Sequence, residues 1–210
     1  MQNSIFNSDL PVFRFIYKLV VTVLLGVMTL VFCLFIVTGG GAVAALYRTI
    51  VKCIRKENGN PFTDYFRYFK DNIKPGMWLS LLIFIITAGL GYGLYISIQL
   101  RRATDSIPVA PYIAGALLLS VAFIVPYTFP LVASFTYSVK EYLIYSIYLA
   151  GKYLTSTLLF GTLIYGGVAA LIIVPALRRF LWAYPGILCF LVSVRMEEIF
   201  SKEVNADPQA

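Results

Sequence analysis

Histidine is missing from this chain of 210 residues, and Asp and Glu together number only 10. Without histidine the chain lacks the commonest general base and the commonest metal ligand. Cysteine is scarce too. Cys33, Cys53 and Cys189 stand far apart in the sequence, so no Cys-x-x-Cys pair points to a disulfide frame or a zinc site. Gly-x-Ser-x-Gly, HExxH and P-loop motifs do not occur. The acidic residues all fall outside the long apolar runs. An ion-coupled pump commonly keeps an ionisable group at mid-membrane, and none is evident here. The expectation is a non-enzymatic protein with no catalytic residue, no cofactor and no metal.

Charge is sparse at 13% of residues, while 60% are hydrophobic. A soluble domain of this size needs far more polar surface. The apolar residues also come in long runs, so the sequence predicts an all-α integral membrane protein. The first run, Leu19 to Val37, is longer than an ordinary signal-peptide core and reads as a retained helix. The net charge is +7. In a soluble chain that would suggest nucleic acid. In this one it follows from keeping Lys and Arg on the cytoplasmic side, against anionic lipid. The expected partner is therefore the bilayer and not nucleic acid.

Five transmembrane helices are expected, over roughly 15–37, 76–98, 109–137, 154–174 and 180–194. Each is near the twenty apolar residues that cross a hydrocarbon core, the fifth being short. Between the first two lies a charged elbow, 38–75. Gly39, Gly40 and Gly41 interrupt the apolar run, and are expected to break the helix or to permit close packing. Val43, Leu46, Ile50, Val51 and Ile54 then recur at helical spacing, with Arg48, Lys52, Arg55 and Lys56 mostly opposite. Asn58-Gly59-Asn60-Pro61 signals a turn. Thr63 is expected to cap the next helix. Phe62, Tyr65, Phe66, Phe69 and Ile73 form its apolar face, with Arg67, Lys70, Asp71 and Lys74 on the wet side. Two cytoplasmic, interfacial, amphipathic units are therefore predicted: the elbow and the tyrosine-rich stretch 138–153. Residues 195–210 read as a charged, mobile tail. Phe66, Arg67, Phe69 and Lys70 are candidate docking residues for a partner.

Pro126 and Pro130 fall inside the third span. Each removes a backbone donor, and lipid tolerates this only where protein or water meets the freed carbonyls. That stretch is expected to face the bundle. Charge counting sets orientation. One side holds Arg48, Lys52, Arg55, Lys56, Arg67, Lys70, Lys74, Lys140, Lys152, Arg195 and Lys202. The other holds Arg14, Lys18, Arg101, Arg102, Arg178 and Arg179. The richer side should be cytoplasmic, which puts the N-terminus outside and the C-terminus inside.

Gly39-Gly40-Gly41-Ala-Val-Ala-Ala-Leu46-Tyr47, Pro61-Phe62, Asp64-Tyr65-Phe66, Phe69-Lys70 and Phe129-Pro130-Leu131 also carry a resemblance. Over roughly Phe15 to Glu198 the chain resembles the YesL-like family of small bacterial membrane proteins, a domain family of unknown function. Other members often carry a proline and a threonine near the position of Gly41, where this chain has the glycine triplet. The family is associated with carbohydrate ABC importers. The resemblance implies a bacterial plasma-membrane protein serving as an accessory subunit, or an assembly or regulatory factor, of an oligosaccharide importer, with ABC permease subunits as partners. The alternative is a small transporter or channel acting alone.

Overall fold

The computed structural model describes residues 11–103 and 109–206. The polar start at 1–10, the connection at 104–108 and the last residues 207–210 lie outside the described residues. Helix α1 spans Pro11–Cys33 and α2 Ile36–Thr49, which runs on into a π-helical turn, Ile50–Arg55. Helix α3 spans Pro61–Ala103, α4 Ala110–Ser134 and α5 Val139–Lys152. Helix α6, Leu154–Gly161, continues through a second π-helical turn, Thr162–Gly166, into α7, Gly167–Ile173. A short 3-10 turn, Pro175–Phe180, leads to α8, Tyr184–Ala206. No strand occurs among the described residues. Among the described residues, four stretches are long and apolar enough to cross a membrane: Phe13–Cys33, Pro61–Leu100, Ala110–Ser134 and Leu154–Ile173. The fifth expected span is instead the first part of α8.

The break after α1 falls at Leu34 and Phe35, not at the glycines. Phe35 is extended, and the Thr38 hydroxyl donates to the Phe32 carbonyl at 2.7 Å. That bond collects one of the carbonyls orphaned where α1 ends. Helix α2 then runs unbroken through Gly39, Gly40 and Gly41. Glycine inside a helix costs up to about 1 kcal/mol. Here it permits close packing. A Cβ on Gly40 would stand 2.6 Å from Phe129 Cε1, and one on Gly41 would stand 3.0 Å from Ile73 Cα. Helices α2 and α3 therefore touch backbone to backbone.

Helix α3 also departs from expectation, since the elbow's second helix and the second span are one element. At 43 residues it is about 65 Å long at 1.5 Å per residue. Pro75 lies within it without ending it. Its start is one turn earlier than predicted. Pro61 occupies the first helical position, and Asn60 rather than Thr63 accepts from the Phe62 backbone N–H, at 3.2 Å. Proline at that position lacks only an N–H that would be orphaned anyway.

Helix α2 is the centre of the bundle and does not lie on a surface. One side of it, Ala45, Leu46, Ile50 and Ile54, packs with Val21, Leu25, Tyr65 and Tyr68. The other, Ala44, Tyr47 and Val51, packs with Leu79, Tyr127, Leu131 and Met196. A helix apolar on both sides is a core helix. The interfacial expectation failed because Ala42, Ala44 and Ala45 weigh little on a hydropathy count, yet all three are fully buried. The prolines of α4 stand where predicted. Pro126, Tyr127, Thr128, Pro130, Leu131, Val132 and Ala133 are buried. The expected tail also changes character. Through Ala206 it is the second half of α8, and Met196, Ile199 and Phe200 are buried at helical spacing.

Helices α1 and α2 form an antiparallel hairpin. Cys33 meets Gly39 at its tip, and Lys18 Nζ lies 2.6 Å from Glu57 Oε1 at its base. Charge counting had put Lys18 and the elbow on opposite faces; the ion pair puts them at one end. The difference arises because the count takes this stretch as a helix lying flat on the cytoplasmic face, whereas α2 is a helix that returns beside α1.

Candidate functional site

The basic residues of the elbow do two kinds of work. Some cross-link the bundle. Arg48 Nη1 donates to the Ala133 carbonyl at 2.8 Å, near the C-terminal end of α4, where a cation meets carbonyls left over by the helix. Arg55 Nη1 donates to the Ser193 carbonyl of α8 at 2.9 Å. Lys56 pairs with Glu197 at 3.3 Å. The elbow and the second half of α8 therefore meet at one end of the bundle. Others gather round one ring. The guanidinium carbons of Arg48 and Arg67 lie 5.1 and 5.3 Å from the Tyr68 centroid, and Lys52 Nζ lies 5.7 Å away. Each position is within cation–π range. Tyr68 is buried, so these cations stand over a desolvated ring.

Helix α5 packs at the same end. Ser138 and Glu141 form a capping box at its start, which satisfies two orphan donors and holds the Glu141 carboxyl below its ordinary value. The link from α4 is tied by Tyr142. Its hydroxyl donates to the Phe135 carbonyl at 2.8 Å and accepts from the Tyr137 N–H at 3.1 Å. Phe135, Tyr137 and Tyr145 stack in sequence, at 5.5 and 5.0 Å between centroids. At the other end of α5, Lys152 pairs with Glu203 of α8 at 2.7 Å. Tyr153 donates to the same carboxylate at 2.7 Å. Between α5 and the end of α8 lies a cavity of about 520 Å³, lined by these aromatics, Lys152 and Glu203.

The turn joining α2 to α3 is a small polar unit. Gly59 takes a φ of +96°, a left-handed conformation that favours glycine. The Cys53 thiol donates to Asp64 at 3.4 Å. Burial, with that hydrogen bond, pushes the thiol up to about 11, so it stays protonated at neutral pH.

The candidate docking residues separate. Phe69 stacks on Phe32 of α1 at 4.7 Å between centroids, and Phe66 meets the same ring edge-on at 6.4 Å. Phe66 is still 49% exposed. Arg67 pairs with Asp64 at 3.4 Å and its side chain is 61% exposed; Lys70 is exposed. Tyr68, Tyr142 and Glu203 were not among the candidates. The signal for Tyr68 was available, because Tyr65, Tyr68 and Asn72 follow helical spacing and all three are buried. Glu203 meets Tyr153 across 50 residues of sequence, and Tyr142 ties the irregular link just ahead of its own helix; neither contact follows a helical period.

Long apolar helices packed round a buried, arginine-anchored central helix define an all-helical protein of the membrane-spanning kind. A family model described as "Protein of unknown function, DUF624" matches residues 19–98, which covers α2 and most of α1 and α3. No curated protein and no solved structure matches the chain.

Proposed function

We propose that the chain is a non-enzymatic accessory subunit or assembly factor of a larger membrane complex. The resemblance to the YesL-like family points to the permease of an oligosaccharide ABC importer as its partner. Its basic end faces the cytoplasm of a bacterial cell, and because Lys18 pairs with Glu57, the start of α1 lies at that end with α8's second half. Only Arg101, Arg102, Arg178 and Arg179 are left for the far side, and a stronger bias towards one face fits retention of Lys and Arg in the cytoplasm.

The observation that carries this reading is the division of the first turns of α3. Tyr65, Tyr68 and Asn72 are buried in the bundle. Phe66, Arg67 and Lys70 are exposed, although Phe66 touches Phe32 edge-on and Arg67 reaches the Tyr68 ring. An aromatic ring flanked by cations at the edge of a rigid helix is a good docking face, since Tyr, Phe and Arg are enriched at interfaces. The test is charge reversal, Arg67→Glu with Lys70→Glu. The expected result is normal insertion with loss of co-purifying permease from native membranes in mild detergent. Undiminished recovery of the permease, or none with the unaltered chain, overturns the proposal.

A further inference from the structure

We propose that Arg48 on α2, Lys52 on its π-helical extension and Lys56 just after it form a binding site for a phosphate group, with Asn58 and Ser134 beside them. These side chains line a cavity of about 300 Å³ between α2, the turn after it and the end of α4. Arg48 is already oriented by its bond to the Ala133 carbonyl and by the Tyr68 ring. A guanidinium so fixed presents its remaining N–H groups as a rigid fork, the geometry that matches a phosphate. Lys52 adds a point charge one helical turn further on.

The local charge is out of balance. Arg48, Lys52 and Arg67 surround one ring. Of the carboxylates nearby, Asp64 pairs with Arg67, Glu197 with Lys56 and Glu57 with Lys18. Among the described residues, neither Arg48 nor Lys52 has a carboxylate in ion-pair range. Two cations held close together over a buried ring repel one another, and an anion between them removes that cost. Tyr47 also lines the cavity. It is 2% exposed, and its hydroxyl has no partner among the described residues. A π-helical turn is itself a frequent companion of functional sites.

The phosphate can come from a lipid headgroup or from solution, and the experiment separates the two. The full-length protein, freed of lipid in a neutral detergent, is titrated with short-chain phosphatidylglycerol, with short-chain phosphatidylcholine and with inorganic phosphate. Binding is read by native mass spectrometry and by the thermal midpoint. Phosphatidylglycerol binding in preference to phosphatidylcholine assigns a lipid site; inorganic phosphate binding above a chloride control assigns a soluble ion. In either case Lys52→Gln should weaken binding about tenfold or more, as loss of one charge-assisted contact does. Lys52→Arg should retain it, and Lys70→Gln, outside the cavity, should leave it unchanged. Lys52 shares the Tyr68 ring with Arg48 and Arg67, so the ligand-free thermal midpoint of each variant is compared with that of the unaltered chain; Asn58→Ala, at an exposed turn, is the second variant and should also weaken binding. No binding of either phosphate, equal binding by Lys52→Gln, or an equal loss with Lys70→Gln overturns the proposal.

Discussion

Gly76 of α3 meets Gly41 of α2 with no side chain between them, and a Cβ on Gly76 would stand 2.7 Å from Gly41 Cα. The neighbours at that point are backbone atoms, which cannot swing aside. Gly76→Ala must therefore push the two helices apart, at a cost of about 1–3 kcal/mol for an overpacked contact. Gly89→Ala and Gly91→Ala are the controls. A Cβ at either place meets nothing within 4 Å, and alanine is the better helix former. Thermal unfolding in detergent should show a lowered midpoint for Gly76→Ala and none for the controls.

Tyr142 offers a second test. Its hydroxyl serves a carbonyl and an N–H in the link between α4 and α5, and the residue is 2% exposed. Tyr142→Phe keeps the ring and removes both bonds. The Phe135 carbonyl loses this donor and the Tyr137 N–H this acceptor, at about 1–3 kcal/mol for a group that stays dry and unmet. The expected outcome is a lower unfolding midpoint, with faster amide exchange confined first to residues 135–142.

The glycines and tyrosines show what the sequence could reveal and what it could not. The membrane class, the apolar stretches now in α1, α4 and α6 to α7, the apolar part of α3 and the inward-facing prolines of α4 follow from apolar runs and proline chemistry, and were legible. The role of α2 was not. Its alanines and glycines look weakly amphipathic, and only the partners of Arg48 and Arg55 on α4 and α8 disclose that its basic face is bonded inward. The docking candidates were half legible. Helical spacing places Phe66 and Phe69 on one face, but does not reveal that Phe32 of α1 occupies part of it.

The Lys18–Glu57 ion pair makes a statement about sidedness that labelling can check. Single cysteines at these two positions, in a background with Cys33, Cys53 and Cys189 replaced by serine, should react with a membrane-impermeant maleimide from the same side of the membrane. Reaction from opposite sides would show that the start of α1 and the end of the π-helical turn are not neighbours.

The Lys152–Glu203 pair ties α5 to α8 and should respond to pH with a sign that can be worked out. Burial acts to raise the Glu203 carboxyl, but hydrogen bonds from Lys152 and Tyr153 outweigh it and hold the group below its ordinary 4.5. The same bond to Glu203, helped by Tyr148, raises Lys152 above its ordinary 10.5. A carboxyl depressed by folding contributes fully above its unfolded value, and loses that contribution as pH falls through the folded one. A lysine raised by folding contributes fully below its unfolded value, and loses it as pH climbs through the folded one. The tie is therefore intact across the neutral range and weakens at both extremes. Glu203→Gln should unfold at a lower temperature than the unaltered chain by a constant margin between about pH 6 and 9. The margin should begin to narrow once pH drops below the ordinary carboxylate value, where the unfolded chain takes up a proton, and should be lost as pH falls through the lower folded value, where native Glu203 is protonated as well. A margin that stays the same down to pH 3 would mean that the side chain supports α8 through shape and not through charge.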